Sequence, residues 1–154
     1  MIELPHTIVG AALAAKIGNP ALALPLALAS HFVLDMLPHW NPHLRTEKRT
    51  LGDIRPKTKR IVMIDVVVSI VVGVAIATTV LPDTKHFIVV LLGAFLAVLP
   101  DVLEGPYFFF NQRNKVVSRL LDFQKSLQFD VSFLPGVLTQ IILSFAALWW
   151  IFNP

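Results

Sequence analysis

The chain predicts an all-α integral membrane protein, a single domain over 1–154. We expect a bundle of four to five transmembrane helices with one interfacial amphipathic helix. Three observations lead there. Apolar residues make up 55% of the 154 and charged residues 15%, against roughly 45–50% and 25% in soluble domains. Four stretches carry no charge at all: 17–30, 66–82, 87–100 and 131–154. Eleven of the 13 Lys and Arg residues crowd into two segments, 45–60 and 113–125, which is the asymmetry that orients membrane helices. The chain has no cysteine, so disulfides and thiolate metal sites are excluded. Glu3 stands where a signal peptide would be basic, so residues 1–16 read as part of the mature protein.

Taken in order, the first helix is predicted over about Pro5–Ile17, with Pro5 at a favoured first position and Gly18-Asn19-Pro20 as the stop. It is short for a span of about 20 residues, hence half-spanning, tilted or re-entrant. His6, Gly10, Ala14 and Gly18 share one face, and small residues four apart let backbones approach in lipid. The second helix, about Pro20–Leu37 with Pro25 inside, pairs with the first as an antiparallel hairpin. That brings His6 level with Asp35 and His39. A soluble basic loop follows over Trp40–Arg60. The third helix runs over about Ile61–Leu81 and carries one carboxylate, Asp65. The fourth runs from about His86 to Leu99. Pro100 is expected to kink or restart it and Gly105-Pro106 to end it. Tyr107–Asp130 is amphipathic and predicts a helix lying on the membrane surface. The fifth helix closes the chain over about Phe133–Phe152.

The chemistry concentrates in 31–39. His31 and Asp35 fall on one helical face, and Pro38 leaves His39 on the exit turn. The basic segments place the N-terminus inside and the C-terminus outside. On that topology His6, His31, Asp35, His39, Asp65, Asp101 and Glu104 all reach one membrane level from four helices. Unpaired ionisable groups near a bilayer are costly, and metal coordination relieves that cost. Imidazole plus carboxylate suits one or two divalent ions, with zinc, manganese or iron the candidates. The metal set read from the residues is His6, His31, Asp35, His39, Asp65 and Asp101, and Asp101 and Glu104 offer a ligand and a general base. The basic segments also suit anionic lipid headgroups as partners; a nucleic-acid partner is not expected.

Leu4-Pro5-His6-Thr7 with Gly10, His31-x3-Asp35 followed by Leu37-Pro38-His39, and Leu99-Pro100-Asp101 together resemble small bacterial and archaeal inner-membrane proteins classed as metal-dependent hydrolases. A fainter similarity is to zinc-dependent phospholipase C enzymes, whose His-x3-Asp helix ligates zinc. The resemblance covers about a quarter of the chain. It implies metal-assisted hydrolysis in a cytoplasmic membrane, with His6, His31, Asp35, His39 and Asp101 at the matching positions. After Asp101 the chain departs from the first group, which has further histidines where this one has Asn111, Gln112 and Arg113.

The leading expectation is therefore a hydrolase of a lipid or amphiphile phosphoester at the cytoplasmic leaflet. Two alternatives belong to other classes. One is a small metal-ion or proton transporter, suggested by the prolines at 25 and 100. The other is a non-catalytic scaffold whose polar residues only cap helices.

Overall fold

The computed structural model describes residues 1–153. Its centre is the shortest of the apolar helices, α1 (Glu3–Ile17), which packs against four others: α2 (Pro20–Asp35), α4 (Pro56–Thr78), α5 (Thr84–Phe110) and α7 (Phe133–Phe152). Two smaller helices, α3 (Leu44–Leu51) and α6 (Lys115–Leu127), cover one end. Among the described residues there is no strand.

The composition of α1 explains its position. From Ile8 to Ala15 it has small or apolar side chains all round, and a helix stretch without a polar face must be enclosed. Pro5, Thr7, Ile8, Gly10, Ala11, Ala12 and Ala14 are all buried. Its closest crossing is with α5, at Gly10 and Gly93. A Cβ on Gly10 would lie 2.5 Å from the Gly93 carbonyl oxygen, and one on Gly93 would lie 2.8 Å from that of Gly10. Only glycine permits that approach, which in lipid replaces hydrophobic drive with backbone contact. Around it Ile8, Ala14, Ala23, Ile76, Val90 and Ala94 form the core.

The outer helices turn their large apolar side chains away from this centre. On α4 Met63, Ile64, Val67 and Val71 are exposed, and on α7 Leu134, Ile142, Phe145 and Trp149. Helices α4, α5 and α7, of 23, 27 and 20 residues, are long and apolar enough to cross a membrane. Helix α2, at 16 residues, is apolar but shorter.

Several element boundaries differ from the sequence reading. Helix α5 does not stop at Gly105-Pro106 but continues to Phe110. A proline inside a helix removes one donor, and the remaining ladder holds until Asn111 adopts a left-handed conformation (φ 55°), returning its N–H to the Pro106 carbonyl. Tyr107–Phe110 therefore belong to α5, and the amphipathic helix is only α6. The basic loop is also not wholly irregular, since it contains α3 and the first turn of α4. Buried Glu47 ties them together, accepting from the Arg55 backbone N–H (2.9 Å), Arg55 Nε (2.7 Å) and Thr58 Oγ1 (2.8 Å). Burial alone would raise this carboxyl, but those hydrogen bonds prevail and hold it below its ordinary value.

Candidate metal centre

Three helices, one turn and one extended segment deliver the polar side chains to a single place. Helix α1 brings His6 and α2 brings His31 and Asp35. The turn after α2 brings His39, and α5 brings Asp101 and Glu104. The extended segment was not anticipated. Between α6 and α7, residues 129–131 are stitched to the exit of α2. Phe129 N–H donates to the Asp35 carbonyl (3.0 Å), His39 N–H to that of Phe129 (3.1 Å), and Val131 N–H to that of His39 (2.9 Å). This pairing sets Asp130 beside His39.

Asp35 is the hub, 1% exposed. Its Oδ1 accepts from the Met1 nitrogen (2.6 Å) and lies 3.5 Å from His6 Nε2 and 3.8 Å from His39 Nε2. Its Oδ2 lies 3.6 Å from His31 Nε2, which is also 3.6 Å from Asp101 Oδ1. His39 Nε2 lies 3.7 Å from Asp130 Oδ1. The rings of His6 and His31 stack at 4.2 Å. His6, His31 and Asp101 each offer a ligand atom within 4.8 Å of the others.

The hydrogen bonds behind these groups fix the direction of their lone pairs. His31 donates Nδ1–H to the Ala97 carbonyl (2.7 Å), and His39 donates Nδ1–H to that of Leu37 (2.8 Å). Each bond holds the tautomer whose Nε2 is an unprotonated acceptor facing Asp35, the outer-shell arrangement typical of metal-bound histidine. The first of those carbonyls lies on α5, three residues before Pro100.

What the front of the site lacks is partners. Both nitrogens of His6, His39 Nε2, Asp35 Oδ2, Glu104 Oε1 and Asp130 Oδ1 are buried with no hydrogen bond. A buried polar group left unsatisfied costs about 1–3 kcal/mol, so this many in one place is not tolerable as plain structure. The spacings offer a resolution. Separations of 3.5–3.8 Å are too long for good hydrogen bonds, yet tetrahedral bonds of about 2.1 Å put ligand atoms about 3.4 Å apart. Donor types, orientation and spacing all fit a divalent ion.

Four residues depart from the sequence reading. Asp65, read there as a ligand, accepts from the backbone N–H groups of Glu3 (2.6 Å) and Leu4 (3.3 Å) and so caps α1. Asp130 and Gln124 were missed. The Gln124 amide lies 3.4 Å from His31 Nε2. Neither has a motif, because each reaches the site through long-range pairing. Glu3, used only to argue against a leader, lies against Asp101 with a buried, unpartnered oxygen.

The site opens on a cavity of about 1180 Å³, lined at one end by Glu3, Asp65, Asp101, Glu104 and Asp130. Compared with protein-family models, curated proteins and solved structures, the chain matches none.

Proposed function

We propose that the protein is a membrane-bound, metal-dependent hydrolase acting on a phosphoester of a lipid or amphiphile at the cytoplasmic leaflet. One observation carries this reading: buried, unpartnered lone pairs of His6 and His39, with His31 and the carboxylates around them, converge at spacings that suit coordination and not hydrogen bonding. His6, His31, Asp35 and Asp101 would hold one divalent ion, zinc being the best match, and His39, Asp130 and Asp35 are arranged to share in a second. When bound, such an ion supplies Lewis acidity to a phosphoryl oxygen and lowers the pKa of water.

The chain's own groups complete the chemistry. Asp101 would complete the ligand set beside His31. Glu104, one turn further along α5, lines the cavity and has a buried, unpartnered Oε1, and would accept a proton from the attacking water. Residues Arg45, Arg49 and Lys125 at the cavity mouth favour an anionic headgroup. In the same reading α2, α4, α5 and α7 cross the membrane around α1, α6 lies at the interface, and the N-terminus is cytoplasmic. The basic residues of α3 and α6 support that orientation.

The test is metal content and turnover together. Purified protein should contain about one or two zinc ions per chain by plasma mass spectrometry and hydrolyse a lipid phosphoester. A His31→Ala/Asp35→Ala variant should lose both. Wild-type protein free of bound metal after growth with zinc would defeat the reading.

A further inference from the structure

Beyond its polar end the cavity continues as an apolar trough between α4 and α5, bordered by Val62, Val66, Ile70 and Val74 on one side and Leu91 and Phe95 on the other. From Val62 to Val74 the trough is about 18 Å long at 1.5 Å per residue. Its floor is made of small residues: a Cβ on Gly73 would meet Thr7 Cγ2 at 3.1 Å and Ala94 Cβ at 3.5 Å. Ile70 and Phe95 are exposed at the rim, at 61% and 49%, so the trough is open sideways.

Two polar features punctuate it. Ser69 is 5% exposed and its Oγ has no partner. Other helical hydroxyls here, including Ser30, Thr78, Ser126 and Ser144, bond a carbonyl one turn back. Ser69 sits one turn, about 6 Å, below Asp65 on the apolar side of the polar end. At the mouth Arg49 is exposed and forms no ion pair among the described residues, whereas Arg45 is paired with Asp122 and Lys125 with Asp130.

We infer that the trough holds one chain of a glycerolipid with a phosphate headgroup. The lipid enters sideways between α4 and α5, its ester oxygen accepts from Ser69, and its phosphate lies between Arg49 and the metal centre. Charge complementarity at Arg49, an orphan donor about 6 Å below the polar end, and an apolar trough open sideways select this occupant over a peptide. This deepens the phosphoester reading and rests on it for the chemistry alone.

The test is retention of lipid by the full-length protein, taken from nanodiscs of equal phosphatidylglycerol and phosphatidylcholine and measured by native mass spectrometry without added metal. Wild type should keep one phosphatidylglycerol and prefer it about tenfold, the scale of one unscreened charge contact. Ile70→Trp should cut retention about tenfold by filling the trough. If that variant misfolds, Ile70→Cys in this cysteine-free chain, alkylated after folding with a bulky maleimide, should do the same. Arg49→Glu should abolish the headgroup preference. Ser69→Ala should narrow the margin between ester- and ether-linked lipids by roughly fivefold, the worth of one hydrogen bond. Val67→Trp, on the outward face of α4, should retain lipid like wild type. Failure of wild type to retain lipid, or equal retention after filling the trough, overturns the inference. The two readings fail separately, because lipid bound to a metal-free chain leaves the trough and removes the hydrolase, and metal without lipid does the reverse.

Discussion

The two ends of the bundle use polar residues in opposite ways. At the end away from the His31 cluster the helix caps and the one histidine have structural partners. Asn19 caps α2 through the Ala21 N–H (3.0 Å) and Asp83 caps α5 through that of His86 (3.0 Å). His86 Nε2 donates to the Ala14 carbonyl (3.2 Å) and Lys16 to that of Asn153 (2.7 Å). At the His31 end the groups are more deeply buried, yet atoms of His6, His39, Asp35, Glu104 and Asp130 lack partners, while His31 and His39 are held from behind. Residue type does not separate the two ends, since histidine and aspartate occur at both. What separates them is satisfaction: polar atoms bonded to backbone at one end, and buried polar atoms without a bond at the other.

The contrast can be broken most severely at Asp35. Asp35→Ala should lower metal affinity more than about 100-fold, beyond the range for outer-shell changes. Competition with a chelator measures it, and retained affinity would show that the convergence is only packing. Next comes the frame. Gly10→Leu drives a side chain into Gly93 and should destabilise the bundle by at least about 1–3 kcal/mol, read as a lowered melting temperature in detergent.

Asp65 sharpens the comparison, because it sits at the histidine end but is satisfied like the residues of the opposite end. Asp65→Ala should cost about 0.5–2 kcal/mol through loss of the α1 cap and leave metal content unchanged; a fall in metal content would mean that satisfaction is the wrong criterion. Asp83→Ala, at the exposed start of α5, should cost about 1 kcal/mol or less, again without effect on metal.

The smallest effect concerns pH. Because Glu47 is held below its ordinary value, its stabilisation is fully present above the unfolded value near 4.5 and fades as pH falls through the lower folded one. Amide exchange around 54–58 should accelerate below about pH 4 in wild type, and Glu47→Gln should show fast exchange at every pH.

Some of this was legible in the residues one by one. The 31–39 pattern put His31 and Asp35 on one face, and the hairpin of the first two helices brought His6 to their level, because both follow from helical periodicity and a short turn. Phe133–Phe152 was bounded correctly by apolar run length. The α1 and α5 crossing was half visible: Gly10 announced a close approach, but its partner Gly93 and the helix that bears it were not named. Asp130 could not be found, since its position depends on the backbone bonds of Phe129 and Val131 to the chain around His39.

By itself, then, the sequence determined the helical class, the apolar spans and the residue types of the site, all of which arise from periodicity and composition over a few turns. Only the tertiary structure decided that α1 is the hub, that Asp65 caps a helix, that Asp130 joins the histidines and that a trough runs beneath them. Those outcomes depend on contacts between residues some 60 or more positions apart (Asp65 with Glu3, 62 apart), and no local pattern encodes which distant partner will satisfy a given polar atom.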